Sequence, residues 1–194
     1  GAFDNTLAVA ESDNFWKTAF GYEDYAIHDD YVYSKWKPWD DVQIKNFVIP
    51  EMPWHIRVHQ ISTNRVIHVA EGSFSAPDYG TSNQIELLTD IDNAVFYQTE
   101  VGITGLVGLS KELSASLTEP EPNTSLYFAK TKLPLQTGIL QPGNYTLVSL
   151  YLGDRDLESL NQDGKLIIPS VELTGKQLTY TLNGRVQKVS LIEF

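Results

Sequence analysis

Residues Glu51–Gly72 read EMPWHIRVHQISTNRVIHVAEG and hold three of the chain's four histidines. His55, Arg57 and His59 share one parity, with Ile56 and Val58 on the other. Successive side chains of a strand point to opposite faces, so the stretch reads as a strand with one polar and one apolar face. RVIHVAEG reads as a second strand, with STNR as the turn between them. If Thr63 and Asn64 form a two-residue turn, Ser62 pairs with Arg65, His59 falls opposite His68, and Arg57 falls opposite Ala70. The two imidazoles are then cross-strand neighbours, with Cβ atoms about 5 Å apart. Glu71 lies on the other parity.

Three readings compete for this face. In the first, His55, Arg57 and His59 form a polar network with nearby carboxylates, as buried polar groups usually do. In the second, His59 and His68 ligate a metal. A structural zinc site needs three or four ligands in tetrahedral array, and this pair supplies two, so no metal is expected. In the third, the face meets another domain and lends a polar group to a site there.

Outward from this stretch, short strands alternate with turn signals. DYAIHDDYVYSKWKPW reads as a hairpin turning at Asp29-Asp30, and the prolines of PEMP separate DVQIKNFVI from WHIRVHQIS. YTLVSLYL, after the PGN turn, reads as a buried strand. Asn183-Gly184 between alternating runs marks a closing hairpin. DRDLESLNQDG is the best candidate for a short helix. The pattern predicts an all-β fold: a large antiparallel β-sandwich, supersandwich-like, with at most one or two short helices, spanning residues 1–194 as a single domain.

The 194 residues include 42% apolar side chains, enough for a packed core, and the net charge is −11. An acidic surface opposes binding to nucleic-acid phosphates and to anionic membranes, so neither is expected as a partner. With no cysteine, disulfides and thiolate metal sites are excluded, while the compartment stays open with a slight preference for the cytoplasm. The abrupt start inside a strand-like pattern suggests a piece of a longer protein, with the leading glycine a possible tag scar.

The search for chemistry gives weak signals. Glycoside hydrolysis needs two carboxylates at a set separation. The acidic clusters are Asp29-Asp30, Asp40-Asp41, Asp90/Asp92, Glu119/Glu121 and Asp154/Asp156, each more readily explained as a solvated turn. A lyase needs a base and a cation against a uronate, and His55, Arg57 and His59 have the chemistry for supporting roles. There is no G-x-S-x-G elbow and no phosphate-cradling glycine loop. Trp36 and Trp39 bracket Lys37-Pro38, with Trp54 beyond the next strand. An exposed Trp36/Trp39 pair would suit a sugar ring, although large aromatics more often pack in cores and interfaces. Pro38 interrupts pairing and sets at least one of them at an edge or loop.

Several segments together resemble the C-terminal domain of the bacterial domain-of-unknown-function family 2264. They are SKWKPW (Ser34–Trp39), PWHIRVH (Pro53–His59), AEGSF (Ala70–Phe74), EPNTSL (Glu121–Leu126) and TKLPLQTGILQPGNY (Thr131–Tyr145). The resemblance covers most of the chain, strongest over residues 3 to 153 and weaker over the last hairpin. It implies the sandwich half of a two-part protein whose other half is an N-terminal toroid of paired helices. That layout is similar to heparinase-type polysaccharide lyases and to some glycoside hydrolases, and some relatives are classed in glycoside hydrolase family 154, acting on glucuronides. The implied partners are the missing toroid and a carbohydrate; no cofactor is implied. Trp36, Trp39, Trp54, His55, Arg57, His59 and His68 are the expected interface or substrate-binding residues, exposed where the toroid sits. An independent carbohydrate-binding module and a sandwich stabilised by metal at His59 and His68 remain as alternatives.

Overall fold

The computed structural model describes residues 7–11, 16–19, 21–72, 85–87, 89–99, 102–118 and 133–194. These contain fifteen strands, all paired antiparallel, and no helix. The first six strands are β1 (Leu7–Ala10), β2 (Asp24–Ile27), β3 (Val32–Trp39), β4 (Val42–Glu51), β5 (Trp54–Thr63) and β6 (Ile67–Gly72). The next six are β7 (Ile85–Leu87), β8 (Ala94–Thr99), β9 (Gly102–Gly108), β10 (Ser114–Thr118), β11 (Leu133–Leu140) and β12 (Gly143–Asp154). The last three are β13 (Ser170–Thr174), β14 (Gln177–Leu182) and β15 (Arg185–Ser190).

A central sheet of eight strands runs β2-β3-β4-β5-β12-β9-β8-β7. A sheet of four strands, β1-β6-β11-β10, shares one apolar core with it, built from Leu7, Val69 and Leu140 against Ile44, Ile61 and Leu147. A sheet of three, β13-β14-β15, shares the other, in which Leu178, Tyr180 and Val189 meet Phe47, Val58 and Leu150. Covered on both faces, β5 buries seven of its ten residues and β12 six of its twelve, with Ser149–Leu152 buried in a row inside the YTLVSLYL run that its composition predicts to be a buried strand. The β2–β3 and β14–β15 hairpins form as read, and the two strands separated at PEMP, β4 and β5, also pair with each other. Asn183 and Gly184 both take positive φ, 51° and 75°, as a two-residue hairpin turn of this hand requires.

Two expectations fail, each for a local physical reason. DRDLESLNQDG is a run of turns. The Asp154 carboxylate accepts the backbone N–H groups of Asp156 (2.9 Å) and Ser159 (2.6 Å), and Asn161 Oδ1 accepts those of Asp163 and Lys165. Side chains that capture local N–H groups compete with the helical ladder. The second failure is the hairpin in Glu51–Gly72. A strand has two edges, and those of β5 are taken by β4 and β12 along its whole length. Thr63 Oγ1 donates to the Arg65 carbonyl at 2.7 Å and accepts the Arg65 N–H at 3.2 Å, bending the chain out of the sheet. The chain then arches across the sandwich, and β6 pairs with β1 and β11 in the facing sheet. His59 and His68 therefore lie in different sheets and do not pair.

The chain end is tied to the central sheet. Glu193 accepts from Tyr31 (2.6 Å) and contacts His28 Nε2 (2.5 Å), and Lys45 donates to its carbonyl (2.7 Å). Phe194 packs on Phe47 with centroids 5.9 Å apart.

The arch is open to a direct check, because the chain has no native cysteine. His68 registers with Ile139 of β11, within disulfide reach for an antiparallel pair. His68→Cys with Ile139→Cys should oxidise readily on a non-reducing gel, whereas His68→Cys with His59→Cys should stay reduced. The opposite pattern would restore the hairpin.

Candidate functional site

Between the central and four-stranded sheets, the apolar core is interrupted by a buried polar network. The register aligns Asn46 with His59, and Val48 with Arg57 and Ser149, across three central strands. His59 and Arg57 share a parity, so both face the four-stranded sheet. From that sheet come Glu71 and Gln136, themselves register partners.

Glu71 is the hub. Its Oε1 accepts from Arg57 Nη1 at 2.7 Å and lies 3.0 Å from His59 Nε2. Its Oε2 accepts from Gln136 Nε2 at 3.0 Å. The same Gln136 nitrogen lies 2.8 Å from Tyr151 Oη and 2.5 Å from Ser149 Oγ. Gly108 makes room here, since a Cβ on it would come within 3.0 Å of Gln136 Oε1 and 2.4 Å of Asn93 Nδ2. His59 Nδ1 lies 2.7 Å from Asn46 Oδ1, and Asn46 donates to Ser34 Oγ at 3.2 Å. The Arg57 guanidinium lies over the Tyr151 ring, 4.0 Å from its centroid. Arg57 is 1% exposed, His59 2% and Glu71 0%.

Charges this deep are set by their neighbours. Burial alone pushes the Glu71 carboxyl up, but the charges of His59 and Arg57 and their hydrogen bonds outweigh it and hold the group far below the usual carboxylate range. Burial, and then the charge of Glu71, raise Tyr151 well above its ordinary value, so it stays a neutral phenol. Burial and then the nearby Arg57 charge lower the pKa of the half-buried His55, favouring its neutral form.

The structure sorts the expected residues differently from their sequence grouping. Arg57, His59, Trp36 and Trp54 lie inside the protein rather than on an exposed face. Trp54 is in the core shared with the three-stranded sheet, edge-on to Phe96, and Trp36 is in the opposite core. The bulge at Pro38 leaves Trp39 half-buried, with Lys17 Nζ 4.3 Å and Arg65 Cζ 5.3 Å from its ring centroid, so cations cover the supposed sugar platform. His55 is half-buried beside Arg57. His68 is half-buried, on the parity opposite the core-facing Ile67, Val69 and Glu71. Among the described residues no group of three or more His, Asp or Glu is gathered as a metal site would need.

Three of the acidic clusters, Asp29-Asp30, Asp40-Asp41 and Asp90/Asp92, sit in turns, while Asp154 ends β12 and is buried. Asp29-Asp30 joins β2 to β3, and Asp40-Asp41 joins β3 to β4, with Asp41 on Arg65 Nε at 2.8 Å. Glu119/Glu121 and EPNTSL lie outside the described residues.

Sequence reasoning missed Glu71, Gln136, Tyr151, Ser149 and Asn46 as partners. Buried glutamate and glutamine on core-facing strand positions are the signal that could have found them, since such groups need polar partners. It also missed an opening. A cavity of about 400 Å³ leads from solvent to this network, with Ser34, Asn46, Arg57 and His59 among its lining and Tyr22 and Tyr25 at its mouth. Those tyrosines are 53% and 70% exposed.

The family model of the DUF2264 C-terminal domain matches residues 1–154. The chain belongs to that family. No curated protein matches it in sequence. Among solved structures it is similar in fold to a mutant of the heparan sulfate lyase HepC from Pedobacter heparinus, at a TM-score of 0.54 and 14% identity, over 86% of this chain. The match spans 27% of the lyase chain. The DUF2264 match leaves the final three-stranded sheet outside it.

Removing one partner from a buried ion pair typically costs about 3–5 kcal/mol, because the other charge is stranded. Glu71→Gln should lower unfolding free energy by about that amount in urea titrations. Arg57→Met with Glu71→Leu should cost less than Glu71→Gln alone, while additive losses would contradict the pairing. The folded carboxyl titrates far below its unfolded value of about 4.3. Its stabilisation is therefore present above that pH and is lost as pH falls below it. The slope of stability against pH in that acid range should flatten in Glu71→Gln.

Proposed function

We propose that this chain is the accessory C-terminal β-sandwich of a carbohydrate-active enzyme, packed on an N-terminal α/α toroid that carries the main catalytic cleft. Membership of the DUF2264 family supports this reading. The single observation that carries it is the fold likeness to a polysaccharide lyase of which the chain spans only 27%. A sandwich of this size leaves most of such an enzyme to another domain. In this reading residues 1–194 are one domain of a two-domain parent, and glycans containing uronic acids are the substrate class.

Within that assignment the interface shifts from the full histidine face to the parts still accessible: His55 and the tyrosine mouth at Tyr22 and Tyr25. His55 fits a supporting role, because an imidazole held neutral can accept a proton. Arg57 and His59 act from behind as the charged backing of that face.

An independent carbohydrate-binding module is the weaker reading. Trp36 and Trp54 are buried and Trp39 is covered, so exposed aromatic surface near the polar network comes from tyrosine instead.

The test compares the parent protein with this chain on a panel of acidic polysaccharides. Unsaturated uronate absorbance reads lyase activity, and new reducing ends read hydrolysis. The parent should cleave at least one substrate, the isolated chain none. Cleavage by the isolated chain, or full activity in a parent lacking it, would contradict the assignment.

A further inference from the structure

The central sheet has a second polar surface, on the face turned away from Arg57 and His59. Register lines up Lys35, Lys45, Gln60 and Thr146 in a row across β3, β4, β5 and β12. Neighbouring strands lie about 4.8 Å apart, so the row spans about 14 Å. One row further out come Gln43, Ser62 and Asn144. Lys45, Gln60 and Thr146 share the parity of Phe47, Val58 and Val148, so the row continues the face on which the three-stranded sheet packs. Thr146, Ser62 and Asn144 are exposed.

Where the three-stranded sheet ends, this face deepens into a groove of about 470 Å³. Its lining mixes two chemistries. Val148, Val171, Leu173 and Phe194 are half-buried apolar groups, while Ser110 and Thr146 bring hydroxyls. A fatty chain favours continuous apolar walls. A sugar ring has an apolar face, which an aromatic such as Phe194 suits, and a hydroxyl edge.

Cations flank the groove. Lys111 and Lys176 directly follow the lining residues Ser110 and Gly175, a Cα step of about 3.8 Å. Both are exposed, and among the described residues neither is in an ion pair. Lys45 Nζ donates to the carbonyl of Glu193, next to Phe194, which uses one of its three N–H donors. Two carboxylates close by are turned elsewhere. Glu193 meets Tyr31 and His28, and Glu172 lies on the parity opposite Val171 and Leu173. Lys35 pairs with Glu23 at 3.5 Å, a partly exposed contact of the kind that contributes little.

We propose that this groove holds one ring of an acidic oligosaccharide, its apolar face against Phe194 and Leu173 and its hydroxyls on Ser110 and Thr146. The carboxylates of that ring and its neighbours meet Lys45, Lys111 and Lys176. The proposal takes its glycan class from the reading above. It adds a site on the opposite face of the sheet from the tyrosine mouth, one that holds the chain without cleaving it.

Calorimetry on the 194-residue chain at fixed ionic strength tests it. The probes are trigalacturonate, its methyl ester and octanoate. Trigalacturonate should bind one to one, at least about tenfold tighter than either of the others, a gap of about 1.4 kcal/mol. Lys111→Ser with Lys176→Ser should weaken that binding at least about tenfold without lowering the melting temperature, because both side chains are exposed. Arg185→Ser with Lys188→Ser removes the same charge from exposed positions on β15, the far strand of the three-stranded sheet, and should leave binding unchanged. Equal binding of acid and ester, tighter binding of octanoate, or no binding of trigalacturonate at concentrations on the order of millimolar would overturn the proposal. So would a loss in the first double variant no greater than in the second. Those outcomes leave the domain assignment standing, whereas a parent inactive on every acidic polysaccharide overturns that assignment and not the groove.

Discussion

The carboxylate of Glu71 holds two sheets in one relation. It projects from β6, has no exposed surface, and meets Arg57 and His59 of β5 across the sandwich gap. Apolar contact between sheets is non-directional and tolerates a shift of register. A buried carboxylate does not, because a slip by one residue turns it away from Arg57 and His59 and leaves buried charge without water. The network adds little net stability compared with a well-packed apolar core. Its effect is to penalise every other alignment of β6 over β5.

The arch follows from the same arrangement. β5 gives its hydrogen-bonding edges to β4 and β12, so the chain after Thr63 continues above the sheet rather than beside it. Core-facing positions of β6 then look down on core-facing positions of β5, and Glu71 comes over His59. The rest of the polar set arrives by register: Gln136 beside Glu71, Ser149 beside Arg57, Tyr151 beside His55.

Much of this was legible in local pattern. Period-two alternation gave the strands, Asn183-Gly184 gave the last hairpin, and the parity of His55, Arg57 and His59 gave their common face. Parity also set Glu71 apart from His68, correctly, but the expected register set it apart from His59 as well, which it meets at 3.0 Å. What parity cannot supply is which sheet a strand joins, since that depends on edges occupied by β12, more than eighty residues further along. Reading STNR as a tight turn therefore paired His59 with the wrong residue. Burial was misread for a related reason. A polar strand face suggests solvent, but here the facing sheet brings its own polar groups and closes over it. Trp36 and Trp54 are ordinary core aromatics, and the accessible aromatic surface lies on Tyr22 and Tyr25, which no tryptophan-centred search would select.

The arrangement rests on the Glu71 carboxylate meeting Arg57 and His59 across the sandwich gap, which holds that carboxyl far below the usual range. Carbon-detected NMR of the side-chain carboxyls, following the Glu71 resonance of the unmodified chain from neutral to acid pH, observes this directly. Glu71 should stay ionised well below the pH at which the exposed glutamates protonate. A Glu71 carboxyl that protonates together with the exposed glutamates would contradict the arrangement.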